Sequence, residues 1–283
     1  MIFFTQQEIE SWIEEDAPLV DLTSHWLGID DRPAQLVVSA RHPVRVALTE
    51  EAARLFTTLG ASVTSTFPSG HDAGKGARLL VAEGAAAALH RGWKVAMNLL
   101  EHGCGVATRT ATMVESVREV SGAPLLVTRK HAPGQKKILL KAILAGGAEI
   151  HRAGLSETVL IFDNHLAMIG GREALPEYLA ALRHNACEKT VTVECHDLDQ
   201  ARSALAAGAD AVQFDKTPVE TLRGWLDALR AEHPHASLLI AGGLRPDNIC
   251  DYAATGIDGL VLSSVYHAPP ADLGVSIHPL EAR

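Results

Sequence analysis

Residues 207–215, with the sequence Ala-Gly-Ala-Asp-Ala-Val-Gln-Phe-Asp, decide the fold class of this chain. The glycine suits the left-handed position just past a helix, and an apolar strand follows at once and ends on a carboxylate. The same kind of lead-in occurs at 145–148 and at 255–258, again directly before a short apolar run. Strands that alternate with helices in this way predict parallel strands joined by crossover helices.

Seven short strands of this kind are predicted from residue 123 onward. They cover 125–128, 148–151, 158–161, 191–193, 211–214, 237–240 and 259–262. The repeated units indicate an α/β barrel. Seven strands are one fewer than a closed (β/α)8 barrel contains, so the pattern also allows an incomplete barrel.

The part of the chain before residue 105 mixes helical and strand patterns. Thr5 followed by Glu8 predicts a capped helix. A strand is predicted over 36–40 and a helix over 49–56. Further helical stretches are predicted at 85–91 and 93–101, and helix continues past residue 105 through 106–120.

The charge balance excludes some classes of partner. The 283 residues include 25 basic and 34 acidic ones, a formal net charge of −9, whereas affinity for nucleic acids depends mainly on basic groups near phosphates. No segment has the uninterrupted apolar length that crosses a bilayer, and residues 1–5 lack the basic start of a signal peptide. We therefore expect a cytoplasmic protein that acts on small molecules, without nucleic-acid or membrane partners.

Chemically capable side chains or glycines follow the predicted strands of the second part. In a parallel barrel the carboxyl ends of the strands form the active-site face, so we expect these residues to lie together there. They are Arg129 and Lys130, His151 and Arg152, Asp163, Glu194, Asp215, Gly242 and Gly243, and Ser263 and Ser264.

Two consecutive strand ends predict an anion site. Arg129 and Lys130 directly follow one apolar strand, and His151 and Arg152 follow the next. Arginine can grip a carboxylate or phosphate with two parallel hydrogen bonds, and lysine adds a point charge. A cationic cluster in an acidic protein indicates a substrate with several negative charges, such as a dicarboxylate or a phosphate ester.

The acidic and glycine-rich strand ends predict a metal site and a phosphate site. Glu194 and Asp215 offer the oxygen ligands with which Mg²⁺ binds alongside substrate phosphates. They could instead neutralise the cationic cluster. Gly242 and Gly243, with the serines after the last strand, fit the barrel loops that hold a phosphate on backbone N–H groups.

Several short motifs, taken in order along the chain, carry more information than any one of them alone. They are Asp21-Leu22-Thr23-Ser24, Asn98-Leu99-Leu100, Gly105-Val106-Ala107-Thr108, Thr128-Arg129-Lys130, Pro133-Gly134, Gly146-Gly147, His151-Arg152-Ala153-Gly154-Leu155, Asp163-Asn164-His165, Glu194, Gly208-Ala209-Asp210, Asp215 and Gly242-Gly243. Their order resembles that of the quinolinate phosphoribosyltransferases (nicotinate-nucleotide pyrophosphorylases) over nearly the whole chain. The signature at 90–98 and Phe162 make the chain most similar to the ModD branch, pyrophosphorylases associated with molybdenum-transport genes.

The resemblance implies an architecture and an assembly. It implies an N-terminal α/β sandwich domain over 1–104, an open seven-stranded α/β barrel with the active site over 105–267, and a tail over 268–283 that packs back on the N-terminal domain. It also implies a homodimer with shared active sites, and it is compatible with a higher oligomer. The implied cofactor is Mg²⁺, and phosphoribosyl pyrophosphate is the implied co-substrate.

The resemblance further implies a role for each matched residue. The catalytic residues are Glu194, Asp215 and Lys130, and the two carboxylates are also the metal ligands. The phosphate-binding residues are Gly242, Gly243, Ser263 and Ser264. The substrate-binding residues are Lys94, which stands where the family has an arginine donated by the partner subunit, Arg129, His151, Arg152, Phe162 and Asp163.

Several positions depart from the family pattern. Phe162 replaces a lysine, Ala241 a serine, Ser263 a glycine and Lys94 an arginine. Lysine loses the bidentate geometry of arginine. The ring of Phe162 predicts an acceptor with fewer charges or a larger ring than quinolinate, unless it only fills space at the end of the barrel.

Three functional hypotheses follow. The first is a phosphoribosyltransferase that moves phosphoribosyl from its pyrophosphate to an aromatic, carboxylated nitrogen acceptor. The second is a non-catalytic protein of molybdenum uptake that holds a nucleotide or an oxyanion such as molybdate. The third is an unrelated aldolase-type barrel, for which Lys130 is the candidate Schiff-base lysine.

Overall fold

The computed structural model describes residues 2–280, which form two compact units. One unit contains the chain up to Thr112, His131–Gly147 and the stretch from Val265 onward. The other contains Met113–Lys130 and Ala148–Ser264. Among the described residues, no helix has the length and apolar character needed to span a bilayer.

The described chain contains both strands and helices, and they alternate most regularly in its second half. The strands are β1 (Pro33–Ala40), β2 (Val44–Arg45), β3 (Ser62–Thr66), β4 (Asp72–Ala73), β5 (Arg78–Ala85), β6 (Leu125–Val127), β7 (Glu149–Ile150), β8 (Val159–Ile161), β9 (Val191–Cys195), β10 (Ala211–Asp215), β11 (Ser237–Ala241), β12 (Gly259–Leu262) and β13 (Leu273–Pro279). The α-helices are α1 (Gln6–Asp16), α2 (Leu22–Leu27), α3 (Thr49–Thr58), α4 (Ala86–Arg118), α5 (Lys136–Ala145), α6 (Asp163–Met168), α7 (Leu175–Asn185), α8 (Leu198–Ala206), α9 (Val219–Glu232) and α10 (Ile249–Ala253). Short 3-10 helices span Arg172–Ala174 and Ser264–His267.

The first unit is built on a four-stranded antiparallel sheet with the order β13-β1-β5-β3. Every second side chain of β1 is buried, so one face of this strand packs on the core. β13 pairs with β1 from Ala34↔Pro279 to Ala40↔Leu273. A strand from the end of the chain therefore completes the sheet that begins near the start.

Helix α1 begins with the cap that the Thr5 motif predicts. The Thr5 hydroxyl accepts a hydrogen bond from the Glu8 N–H at 3.1 Å, and the Glu8 carboxylate accepts one from the Thr5 N–H at 2.7 Å. These two bonds satisfy backbone donors that a helix start otherwise leaves open. The prediction of a capped helix after Thr5 is confirmed.

The helical stretches predicted at 85–91, 93–101 and 106–120 belong to one helix, α4, which has 33 residues and spans Ala86–Arg118. Glycines lie between these stretches, and glycine weakens isolated helices. Here close packing explains the glycines. A Cβ at Gly103 would collide with Leu48 Cδ1, and a Cβ at Gly105 would collide with the carbonyl oxygen of Pro269. Tertiary packing thus outweighs the local propensity.

The compact units do not follow the domain limits proposed from the sequence. Helix α4 runs through residue 104 without a break, and residues 131–147, which include α5, group with the first unit. The domain limits 1–104, 105–267 and 268–283 stay a prediction.

The second unit is built on a seven-stranded sheet with the order β7-β6-β12-β11-β10-β9-β8. All neighbouring strands in it are parallel. β7 and β8 are the two edges of the sheet, so the barrel is open. The predicted α/β class, with an open seven-stranded barrel and an N-terminal sheet domain, is confirmed.

The aspartates of the recurring lead-in accept hydrogen bonds from the backbone at the start of a neighbouring strand. Asp210 accepts a hydrogen bond from the Val191 N–H at 2.7 Å and forms an ion pair with Arg183. Asp258 accepts one from the Leu238 N–H at 2.8 Å. Each aspartate therefore joins the start of its own strand to the start of an adjacent one.

Strand β10 shows how the sheet separates the site from the packed helices. The ring of Phe214 lies 5.3 Å from the ring of Trp225 on α9, centroid to centroid. Gln213 and Asp215 alternate with Phe214 and point to the opposite face. The register sets Gln213 beside Glu194 on β9. This face therefore carries polar side chains toward the carboxyl ends of the strands.

Candidate active site

The predicted site residues of the second unit follow the carboxyl ends of its parallel strands, which lie at one edge of the sheet. We call this edge the barrel mouth, defined by the residues at the carboxyl ends of the seven strands. Lys94 is the exception, because it lies on α4 in the first unit. Its side chain is exposed, and its Nζ is 5.5 Å from the centroid of the Trp93 ring.

The basic side chains of the barrel mouth follow the adjacent strands β6 and β7. Arg129 and Lys130 are exposed, whereas Arg152 is buried. Burial lowers the pKa of the Arg152 guanidinium, and the positive charge of Arg129 lowers it further. The two arginines therefore lie close enough to repel each other, and an anion between them would relieve that repulsion.

The sequence pattern places His151 in a cationic cluster, but the pKa of its imidazole is too low for a positive charge at neutral pH. Burial, and then the charge of Arg152, lower its pKa from 6.5 to about 4. At neutral pH the imidazole is therefore uncharged. It can contribute a hydrogen bond to a substrate but no positive charge.

Lys130 does not have the surroundings of a Schiff-base lysine. Such a lysine is usually activated by a desolvated pocket or by a neighbouring cation. Lys130 does follow Arg129, but its side chain is exposed. The structure gives the aldolase-type hypothesis no further support.

Two carboxylates lie on the neighbouring strands β9 and β10. Burial, and then the negative charge of Asp215, raise the pKa of Glu194. The Gln213 amide donates a hydrogen bond to Glu194 Oε2 at 3.3 Å. Gln213 was not predicted as a site residue from the sequence. Its amide is the one polar side chain in an otherwise apolar run at 211–214, which could have indicated a role. Its Oε1 is buried and has no hydrogen-bond partner among the described residues.

Asp163 is held on both carboxylate oxygens by side chains that the sequence did not single out. Arg172 Nη2 donates to Asp163 Oδ1 at 2.6 Å and to the carbonyl oxygen of Glu194 at 2.9 Å. His196 Nε2 is 2.8 Å from Asp163 Oδ2. The hydrogen bond with His196 is the largest cause of the lowered pKa of Asp163. Asp163 is therefore an anion that orients its neighbours.

Phe162 brings a flat ring to the end of β8. Its backbone N–H donates a hydrogen bond to His165 Nδ1 at 3.0 Å. The two rings are stacked, with centroids 5.7 Å apart and planes 18° from parallel. Because His165 Nδ1 accepts this hydrogen bond, Nε2 is the ring nitrogen that can act as a donor. The pair offers an aromatic surface with one N–H donor.

The glycine turn after β11 lies directly beside Asp215. Gly242 and Gly243 have φ angles of 79° and 74°. Residues that carry a side chain rarely adopt such angles. A Cβ at Gly242 would collide with Asp215 Oδ1 and would lie 2.7 Å from Lys216 Cγ. After the neighbouring β12, Ser264 begins a short 3-10 helix, and its hydroxyl is buried without a hydrogen-bond partner among the described residues.

Family models match both parts of the chain. The model described as the quinolinate phosphoribosyl transferase N-terminal domain matches residues 21–104, and the model of the C-terminal domain matches residues 106–276. The "Putative pyrophosphorylase ModD" of Pasteurella multocida (strain Pm70) is 34% identical over 278 residues, which are 98% of this chain and 99% of that protein. A nicotinate-nucleotide pyrophosphorylase (carboxylating) of Rattus norvegicus is 33% identical over 262 residues, 92% of this chain and 86% of that protein.

A solved structure has the same fold. The nicotinate-nucleotide pyrophosphorylase from Francisella tularensis gives a TM-score of 0.89 over 98% of each chain, at 22% sequence identity. This likeness concerns the fold alone. The family models and the sequence relatives extend over both parts of the chain, which therefore belongs to the quinolinate phosphoribosyltransferase family.

Proposed function

We propose that this protein transfers a phosphoribosyl group from phosphoribosyl pyrophosphate to the ring nitrogen of an aromatic, carboxylated acceptor. The observation that carries the proposal is the carboxylate pair, Glu194 and Asp215, beside the glycine turn at Gly242. Arg129 and Arg152 follow strands of the same sheet. This combination suits a donor with phosphate groups and an anionic acceptor. The similarity to proteins named as pyrophosphorylases supports it.

The carboxylates would act on the charge that develops during transfer. The bond between ribose C1 and the pyrophosphate oxygen breaks, and the acceptor's ring nitrogen forms the new bond to the same carbon. Positive charge grows on the sugar as the pyrophosphate leaves. Glu194 and Asp215 would stabilise this charge, and their partial burial strengthens the interaction because less water screens it.

Magnesium is part of the proposal. The residues present fit an Mg²⁺ ion that is bound jointly by the protein and by the donor's phosphates. Among the described residues, no group of three or more His, Cys, Asp or Glu side chains could hold a metal ion. Mg²⁺ commonly binds one or two carboxylates together with substrate phosphates and water. Glu194 and Asp215 would hold it with the donor, where it would neutralise charge on the leaving pyrophosphate.

The acceptor's carboxylate would lie against Arg129 and Arg152. A hydrogen bond to a buried guanidinium is stronger than one in open water, and the neutral His151 can add a bond without charge. Phe162 would contact the acceptor's ring and favour fewer charges or a larger ring than quinolinate has. With quinolinate as acceptor, transfer would be followed by loss of CO₂.

A second candidate is a non-catalytic protein of molybdenum uptake that holds a nucleotide or an oxyanion. Phe162 favours it, because an aromatic ring stands at a strand end where the family resemblance implies a lysine. The molybdenum context itself rests on the similarity to proteins named ModD. The cytoplasmic location also stays a prediction.

Release of pyrophosphate separates the two candidates. With Mg²⁺ and phosphoribosyl pyrophosphate, we expect release only after addition of an acceptor from a panel of quinolinate, nicotinate and larger aromatic acids. Reactions without acceptor are the control. Saturable binding of phosphoribosyl pyrophosphate or molybdate, with no release for any acceptor, would contradict the enzyme and favour the binder.

We further propose a homodimer with shared active sites. A run of exposed apolar side chains in and before α2 supports association, since exposed apolar patches mark interaction surfaces. These side chains are Leu19, Val20, Leu22, Trp26 and Leu27. The exposed Lys94 on α4 would then serve the site of the partner subunit.

Mixing two inactive variants tests the shared site. Lys94→Ala and Glu194→Ala are each expected to be inactive, and a mixture of the two is expected to recover activity because one site of a mixed dimer has both residues. Activity is measured after subunit exchange has been verified with differently tagged chains. Exchange without any recovery would show that Lys94 does not act across the dimer.

A further inference from the structure

We propose that Lys216 is a further anion-binding residue of the barrel mouth and contacts a phosphate group of the donor. The inference rests on the proposed phosphoribosyl transfer. It adds a cation directly after β10 to those that follow β6 and β7. Lys216 follows Asp215 directly, but it belongs to none of the motifs that carry the family resemblance.

The backbone of Lys216 is the first observation. Its φ angle is 52°, in the left-handed region, where asparagine, aspartate and glycine are the usual residues. Among the described residues, Leu48 is the other non-glycine residue with positive φ. The Leu48 side chain is fully buried, so packing explains that case, whereas the Lys216 side chain is 75% exposed.

Neighbouring contacts, and not the lysine side chain, set this conformation. The Lys216 N–H donates to the carbonyl oxygen of Ala241 at 2.8 Å, which extends the pairing of β10 with β11. The next residue, Thr217, is buried, and its carbonyl oxygen accepts a hydrogen bond from the Tyr252 hydroxyl at 3.1 Å. A glycine or asparagine would fit here with less strain. What lysine adds at this position is its ammonium group.

The position of the side chain is the second observation. Lys216 Nζ lies 3.6 Å from Asp215 Oδ2. The side-chain stem passes beside the glycine turn, because a Cβ at Gly242 would lie only 2.7 Å from Lys216 Cγ. The missing side chain at Gly242 thus makes room for both Lys216 and Asp215.

An ammonium group next to two left-handed glycines suits a phosphate. The backbone N–H groups of a glycine turn can donate to phosphate oxygens, and a lysine supplies a matching point charge. Asp215 would keep the ammonium close to the turn before the donor binds.

Direct binding tests this inference apart from catalysis. Calorimetric titrations would use phosphoribosyl pyrophosphate, inorganic pyrophosphate and ribose 5-phosphate with the wild type, Lys216→Asn and Lys216→Arg. Asparagine tolerates the left-handed backbone, and arginine keeps the charge. Lys189→Asn is the matched control, since Lys189 is exposed and lies just before β9, at the opposite end of the strands.

Lys216→Asn is expected to weaken binding of phosphoribosyl pyrophosphate about tenfold, while Lys216→Arg and Lys189→Asn stay near the wild type. A parallel loss for inorganic pyrophosphate would assign the contact to the pyrophosphate end, and a parallel loss for ribose 5-phosphate would assign it to the other end. If the folded Lys216→Asn protein bound these compounds as tightly as the wild type, the inference about Lys216 would be overturned and the proposed function would not. A wild type that binds none of the three compounds would overturn the proposed function as well.

Discussion

Replacing Glu194 with glutamine is expected to slow pyrophosphate release about 10²–10³-fold, the usual effect of removing one preorganised group where charge develops. The substitution keeps the size of the side chain and a hydrogen-bonding partner for Gln213, and it removes the negative charge. Asp215→Asn is expected to have an effect of the same order. The rate under saturating substrates is the quantity to measure.

The fold should survive the Glu194 substitution. Burial and then the charge of Asp215 raise the pKa of Glu194, so its ionised form opposes folding at neutral pH. The uncharged glutamine should leave the thermal midpoint unchanged or raise it. The rate of the wild type should rise with pH through the raised pKa of Glu194, and this limb should be absent in Glu194→Gln.

An exposed carboxylate provides the control for these variants. Asp199 lies on α8 with an almost fully exposed side chain, so Asp199→Asn should keep the wild-type rate. A folded Glu194→Gln protein that also kept the wild-type rate would contradict the role of the carboxylate pair. The proposed chemistry would then lack its main charge-stabilising groups.

The largest effect on stability is expected from Lys141→Ala, which should lower the free energy of unfolding by about 3–5 kcal/mol. Lys141 Nζ lies 2.8 Å from Glu50 Oε2 and 2.6 Å from Glu51 Oε2. Glu51 is only 5% exposed, and removing the lysine leaves its carboxylate buried without a counter-charge. Denaturant unfolding measures the loss.

Lys137→Ala is the matched control on the same helix. Lys137 also forms an ion pair, 2.8 Å from Glu8 Oε1, but the two side chains are 43% and 35% exposed. Exposed pairs contribute about 0–1 kcal/mol, so this variant should be nearly as stable as the wild type. Equal losses for Lys137→Ala and Lys141→Ala would show that burial of Glu51 does not set the cost.

The ion pairs of Lys141 with Glu50 and Glu51 also make the stability of the protein depend on pH. Burial would raise the pKa of Glu50, but hydrogen bonds from Lys141 and Ser69 outweigh it and lower the pKa from 4.5 to about 2. A lowered pKa stabilises the folded protein above pH 4.5, and this contribution is lost as the pH falls from about 4.5 to about 2. Lys141→Ala should therefore show a smaller decline in stability over this interval, as followed by thermal unfolding.

Local sequence patterns predicted the class of fold and the edge of the sheet where the candidate site residues lie. Glycine lead-ins and apolar runs are local signals, because a left-handed turn and a strand each depend on a few adjacent residues. Parallel strands then bring the residues after their carboxyl ends to one edge. For that reason Arg129, Glu194 and Asp215 could be predicted as site residues from the sequence.

The contacts and protonation of the residues in this site depend on the folded structure. Asp163 and His196 are 33 positions apart in the chain, and Arg172 begins a 3-10 helix of three residues, so no local sequence pattern predicts their contacts. His151 is neutral because burial and Arg152 lower its pKa, and the sequence contains no measure of burial. The left-handed backbone of Lys216 depends likewise on pairing with a neighbouring strand. Desolvation and charge–charge distances arise from residues that the fold brings together, so they appear only once the chain is packed.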